Sequence, residues 1–307
     1  MHKWFNGLIL GTGLFALGAC SSDDANPNLV EKARSNSELM VLVEAVEAAD
    51  LTATLSGPGP LTLFAPTDSA FATLLAELGL TKAQLLSDKE LLTKVLTYHV
   101  LSRNVTAAEV IPGKAITSVQ GGFFKVDIAN SDLVITDGRN RTSKIIAADI
   151  LASNGVIHLV DKVLLPADKT IPQTAASIAD FSILVEALLA ADLVETLSGS
   201  GPFTVFAPTN LAFEALLSEL GITKAQLLAD TVLLTRVLTY HVLVGAVLKA
   251  DVPVDVPVTT LQGDSFTVDT TLSITDQLSR KASITATDVL NSNGVIHVVD
   301  KVLLPTL

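Results

Sequence analysis

The sequence of 307 residues has one cysteine, Cys20. A single thiol excludes an internal disulfide, so the fold must be held by its core and its polar pairing. Aromatic residues are scarce: Trp4 is the sole tryptophan, and Tyr98 and Tyr240 are the two tyrosines. That argues against a broad aromatic platform for stacking sugars, and leaves a polysaccharide held by hydrogen bonds or charge. No HExxH, CxxC or GxSxG is present, which removes the common zinc-protease, thiol-redox and serine-hydrolase signatures. Carboxylates are scattered rather than grouped, the expectation is a non-enzymatic protein, and nothing points to a cofactor or a metal. Basic residues are few, 20 against 32 acidic ones for a formal charge of −12. That sign argues against nucleic acid, whose phosphates need cationic neutralisation.

No apolar run after Cys20 is long enough to be a membrane span. Before it, Lys3, the apolar stretch Trp4 to Leu17 and the small residues Gly18 and Ala19 make a secretory signal over residues 1–19. LGAC, ending at Cys20, resembles the bacterial lipobox, which implies lipidation of Cys20 and a membrane attachment through that lipid alone. Ser21 after the cysteine favours the outer membrane or cell surface under the same rule. Residues 20–28 are polar and contain Pro27, the composition of a flexible tether.

What the chain has in abundance is self-similarity. SNGVIHLVDKVLLP, from Ser153, returns as SNGVIHVVDKVLLP from Ser292, and LLTKVLTYHVL, ending at Leu101, returns as LLTRVLTYHVL, ending at Leu243. LTLFAPTDSAF from Leu61 returns as FTVFAPTNLAF from Phe203. His99 and His241 are 142 residues apart, too far for a solenoid unit and right for two domains. These are expected at residues 29–166 and 175–307, joined by a linker at 167–174. The copies differ in charge: twelve basic against fifteen acidic residues in the first, seven against fifteen from Ala167 onward, so a charge-steered partner should discriminate between them.

Each copy opens with a helical period, Leu39, Leu42, Val43 and Val46 or Phe181, Leu184, Val185 and Leu188, whose residues change while the pattern stays, as core does. A β-rich segment then reaches Pro66 or Pro208, expected to stop strand pairing. Thr67 with Asp68, or Thr209 with Asn210, is expected to cap the next helix. Thr81 and Asp88 offer two more caps, the second for a helix ending at Tyr98. The rest reads as short strands, so each copy is expected to be α+β.

FAPT followed by Ala-Phe, then Tyr-His after a helix, then NGVIH, Asp and LLP resembles the fasciclin (FAS1) domain, twice over. The resemblance implies a β-wedge or sandwich with a cluster of helices, working as an extracellular adhesion or interaction module for surface or matrix proteins. Animal members associate adhesion with the Tyr-His segment and with an Asp-Ile-Leu segment ahead of NGVIH. The matching positions are Tyr98, His99, Tyr240 and His241, and Asp149, Ile150 and Leu151. Copy two has Asp288, Val289 and Leu290, and Ala147 and Ala148 replace the animal Asn-Lys, so integrin recognition does not transfer.

His158 and His297 share a strand face with valines and are expected to be buried, structural imidazoles. His99 and His241 end a helix, where the dipole favours imidazolium; each follows a tyrosine that reads as a packing anchor whose hydroxyl needs a partner, so a structural role is weighed ahead of the partner binding that the resemblance implies. Asp161 and Asp300 point away from the strand histidines. NVT at Asn104 and NRT at Asn140 match glycosylation sequons, which carry no weight in a bacterial protein. Two other readings stay open: a ligand carrier or hydrolase with a pocket at the domain junction, and an envelope scaffold.

Overall fold

The computed structural model describes residues 26–306, so Cys20, the leader and most of the expected tether lie outside the described residues. Two α+β domains follow one another, each with a seven-stranded sheet and a cap of helices. The first sheet comprises β1 (Leu61–Pro66), β2 (Val100–Leu101), β3 (Ala115–Thr117), β4 (Phe123–Ala129), β5 (Asp132–Thr136), β6 (Thr142–Ala152) and β7 (Gly155–Val160). Its order is β2-β1-β7-β6-β5-β4-β3. The second repeats that order with β8 (Phe203–Pro208), β9 (Val242–Val244), β10 (Pro257–Thr259), β11 (Ser265–Val268), β12 (Ser273–Thr275), β13 (Lys281–Asn291) and β14 (Gly294–Val299).

The second and third strands from one edge of each sheet are parallel, β1 with β7 and β8 with β14, and buried on both faces. Period-two alternation therefore serves two cores. Leu63 and Ala65 point to the helices, against Leu42, Val46, Phe71 and Leu96, while Phe64 points the other way, into a wedge closed by Tyr98, Phe124, Ile135 and Val160. Pairing includes Pro66, which faces Val160, and the strand ends there, as β8 ends at Pro208. A terminal proline forfeits only one donor, and the Thr67 amide takes the Val160 carbonyl at 3.2 Å.

Thr67 and Thr209 cap the helices Asp68–Leu78 and Asn210–Leu220 as expected. Asp68 and Asn210 do something else. Their Oδ1 atoms accept the amides of Val41 and Ile183, at 2.8 and 2.9 Å, at the start of the neighbouring helix. Thr81 and Asp88 cap the next two helices, Lys82–Ser87 and Lys89–Tyr98. Asn28 with Glu31 forms a capping box that starts a helix at Leu29, and Thr170 with Gln173 forms one that starts a helix at Ile171, inside the segment expected as linker.

The repeated Ser-Asn-Gly is a two-residue hairpin that also ties the domain shut. Asn154 Nδ2 donates to the carbonyls of Leu55 and Gly57 at 2.9 and 2.8 Å, and Oδ1 accepts the Leu29 amide at 3.0 Å. Asn293 does the same with Leu197, Gly199 and Ile171. A Cβ at Gly155 or Gly294 would lie 2.0 or 1.9 Å from the carbonyl oxygen of Leu61 or Phe203, so only glycine admits the parallel strand there. Asn154→Ala and Asn293→Ala should each destabilise their domain by about 3 kcal/mol, the cost of orphaning several half-buried backbone groups. Urea denaturation followed by circular dichroism measures it, and a loss below about 0.5 kcal/mol, the range of ordinary surface changes, would refute the role.

Candidate interaction site

The tyrosines and histidines that the sequence singled out are brought together, inside the protein. Tyr98 and Phe124 stack edge to face at 5.7 Å, Phe124 and Phe64 at 5.2 Å, and Phe64 lies 5.3 Å from the His158 ring. Tyr240, Phe266, Phe206 and His297 form the same column in the second domain. Tyr98 and Tyr240 are fully buried and give their hydroxyl protons to the carbonyls of Phe123 and Ser265. Burial, chiefly, pushes both phenols up. His99 and His241 are buried too, so the Tyr-His segment is not a contact surface, a correction to the expectation drawn from the resemblance. A side chain enclosed on every side cannot meet a partner.

The two histidine pairs hold opposite tautomers. In His99, Nδ1–H donates to the Val95 carbonyl at 2.8 Å and Nε2 accepts the Leu164 amide at 2.8 Å, and His241 does likewise with Val237 and Leu303. In His158, Nε2–H donates to the Val105 carbonyl at 2.8 Å and Nδ1 accepts the Asp149 amide at 3.2 Å; His297 matches it with Val247 and Asp288. Each ring is satisfied only when neutral, since a backbone amide already occupies its second nitrogen. Desolvation pulls His99 and His241 down from 6.5 to about 4, outweighing the hydrogen bonds to Val95 and Val237. The helix C-terminus that both residues cap does not rescue the imidazolium, because its pull is smaller than the cost of burying a charge. Burial also lowers His297.

Asp149 belongs to a different setting. Two register shifts in β6, repeated in β13, place Asp149 and Asp288 at φ 60° and 61°. The left-handed turn is held by the amide bond to the histidine below and by the carboxylate, whose Oδ1 accepts the Ala107 amide at 2.8 Å, or that of Lys249 at 2.7 Å. β-bulges re-aim side chains in this way. In the first domain the result is an exposed Asp149, a half-buried Ile150 and a Leu151 that is 60% exposed. In the second domain Asp288 and Leu290 are buried, because the first domain covers them. Lys125 Nζ reaches Asp288 Oδ2 at 2.8 Å, Lys114 pairs with Asp251 at 2.9 Å, and the Asn140 side chain bonds both the amide and the carbonyl of Leu290 at 2.7 and 3.1 Å. Burial alone would depress the Lys125 ammonium; the hydrogen bonds and charges of Asp288 and Asp127 more than offset it and raise its pKa.

Two fasciclin-type repeats carried on two identical sheet topologies can be matched to known proteins. The fasciclin domain model matches residues 37–166 and 179–305. The chain belongs to the fasciclin domain family. It is 32% identical over 253 residues to the transforming growth factor-beta-induced protein ig-h3 of Sus scrofa, covering 82% of this chain and 35% of that one. It is 42% identical over 149 residues to protein sll1483 of Synechocystis sp., covering 48% of this chain and 77% of that one. The chain thus spans about a third of the length of the animal relative. Among solved structures, the FAS1 domain pair from the insect cell adhesion molecule Fasciclin I is similar with a TM-score of 0.44 and 18% identity, over 90% of this chain and 95% of that one.

At the junction of the two fasciclin domains a groove of about 410 Å³ is lined by Arg139, Arg141, Asp168, Lys169 and Ser177 among others. Its guanidinium groups are engaged: Arg139 with Asp168, and Arg141 with Asp137 and Glu77. A ligand there would have to displace those pairs. Asp161 Oδ1 accepts from Ser143 Oγ and from the Lys144 amide, so its bonds run to β6 rather than to a histidine. Among the described residues no cluster of three or more His, Cys, Asp or Glu could hold a metal, and no helix is long and apolar enough to cross a membrane. Sequence reasoning did not find Lys125 and Asn140. Their signal was a difference between copies, since Thr267 and Ser279 stand at the matching positions.

The two His99-type imidazoles make a pH prediction. Their folded pKa values of about 4 lie below the ordinary 6.5, so the unfolded chain takes up protons first. The stability they contribute is complete above pH 6.5 and is lost as pH falls toward 4, by about 3 kcal/mol per domain. Urea midpoints should drop between pH 7 and 4.5, and His99→Gln with His241→Gln should flatten that slope. An unchanged slope in the double variant would assign the effect to other groups.

Proposed function

We propose that this protein is a non-enzymatic adhesion or protein-interaction module, held at a bacterial cell surface by a lipid on Cys20. The observation that carries the reading is a tandem pair of fasciclin domains in which one copy of the Asp-Ile-Leu segment, Asp149 to Leu151, stands exposed on a bulge braced from below. A rigid bulge presents a carboxylate and an apolar side chain at little conformational cost on binding. The lipobox at Cys20 supports attachment at the outer membrane. The partners that suit this site are surface or matrix proteins. A polysaccharide would find hydrogen-bonding groups there but no aromatic platform. The reading as a carrier or hydrolase at the domain junction is weaker, because the groove's arginines already have carboxylate partners.

Cys20→Ala should move the protein from the membrane to the soluble fraction on cell fractionation; retention in the membrane would refute the anchor. Asp149→Asn with Leu151→Asp should lower attachment of the intact lipoprotein to its native surface at least about tenfold with the melting temperature unchanged, since asparagine keeps the Oδ1 acceptor for the Ala107 amide and tolerates the left-handed turn, and both side chains are exposed. His99→Ala should instead destabilise the first domain by about 3 kcal/mol by orphaning the Val95 and Leu164 backbone groups. Attachment that survives the Asp149 and Leu151 substitutions would remove this segment from the adhesive surface.

A further inference from the structure

The second domain shows what its own Asp-Val-Leu bulge binds: a face of a fasciclin domain. Asp288 takes Lys125, Asp251 takes Lys114, and the outward amide and carbonyl of Leu290 take the two ends of the Asn140 carboxamide. The first domain carries the same anchors in the same places. Asp149 corresponds to Asp288, Glu109 to Asp251 and Leu151 to Leu290, and all three are exposed. Asp149 makes no ion pair among the described residues; one of its oxygens holds Ala107 as Asp288 holds Lys249. The backbone is poised as well. Ala152 and Gly155 close the hairpin, Leu151 pairs with Val156 next to them, and β5 pairs only with residues 142–144 of β6. In antiparallel alternation the Leu151 amide and carbonyl therefore point away from β7, to an open strand edge.

We propose that this edge of the first domain, at Asp149, Glu109 and Leu151, docks a fasciclin domain of another protein, one that offers two lysines and an asparagine as the first domain offers Lys114, Lys125 and Asn140 to the second. The inference deepens the adhesion reading and rests on it. A second copy of this chain is a poor occupant. Its lysine face is covered by its own second domain, and its second domain has Val256, Thr267 and Ser279 in place of Lys114, Lys125 and Asn140. The open edge is also more polar than the closed one. Leu248 and Ala246, which pack under the interdomain contact, are Thr106 and Asn104 in the first domain. That difference suits reversible association between molecules rather than a permanent interface.

The test uses a bait made from the full chain: V256K, T267K and S279N rebuild the lysine and asparagine face on the second domain, and D149K keeps the bait from assembling with itself. Val256 and Ser279 are exposed and Thr267 is half-buried, and Ser279, at φ 59°, suits asparagine. Labelled bait titrated with wild-type chain should bind it, and the D149K chain should bind at least about tenfold more weakly. No binding up to about 100 μM, or equal binding to the D149K chain, overturns the inference. Should the bait melt early, T267K and S279N alone supply the contacts to Asp149 and Leu151, and the same outcomes apply. Wild-type self-association abolished by D149K would make the occupant a second copy and also overturn it. Native attachment that depends on Asp149 while the bait fails to bind would leave the adhesion reading standing and this inference fallen.

Discussion

The parallel ladder between the first and last strands of each domain is the constraint on which the rest depends. It joins residues almost a hundred positions apart and is buried on both faces, so a one-residue slip would exchange the two cores. Its register sets Phe64 beside His158 and brings the Asn154 hairpin against the opening helix. It demands glycine at Gly155 and Gly294, where the partner strand's carbonyl leaves no room for a side chain. The buried histidines then complete what the ladder leaves unpaired: His99 bonds the chain beyond β7, and His158 bonds the bulge in β6.

The duplicated interior and the diverged edges answer to different requirements. Inside, every polar group must find a partner, and the same partners recur in both copies, tyrosine to the start of β4 or β11 and the Asp137 and Asp276 carboxylates to the backbone of their own loops. At the edges, the first copy has Lys114 and Lys125 where the second has Val256 and Thr267, and the second turns Asp251 and Asp288 toward those lysines. Lys114 and Lys125, two of the basic residues by which the first copy exceeds the second, form ion pairs with Asp251 and Asp288 within the chain. The same geometry leaves the first domain with acid and leucine facing outward.

Several features were legible because they are local. Thr67, Thr81 and Asp88 sit one turn from the amides they cap, and the buried face of Leu39, Leu42, Val43 and Val46 follows from helical spacing. Others were misread because a distant element decides them. Asp68 serves Val41 on a neighbouring helix. His99 stands where a helix dipole would favour charge, yet it is enclosed, and desolvation wins. Tyr98 and His99 repeat in identity, which an exposed binding motif and a buried hydrogen-bonding pair produce equally.

From the sequence alone came the duplication, the α+β character of each copy, the family and the residues that could matter, because periodicity, capping and motif order are written along the chain. Tertiary structure alone decided which of those residues face a partner. Exposure depends on what packs above a strand, and two chemically equivalent bulges met different fates: Asp288 was covered by the first domain, and Asp149, with nothing from the described chain above it, was left open.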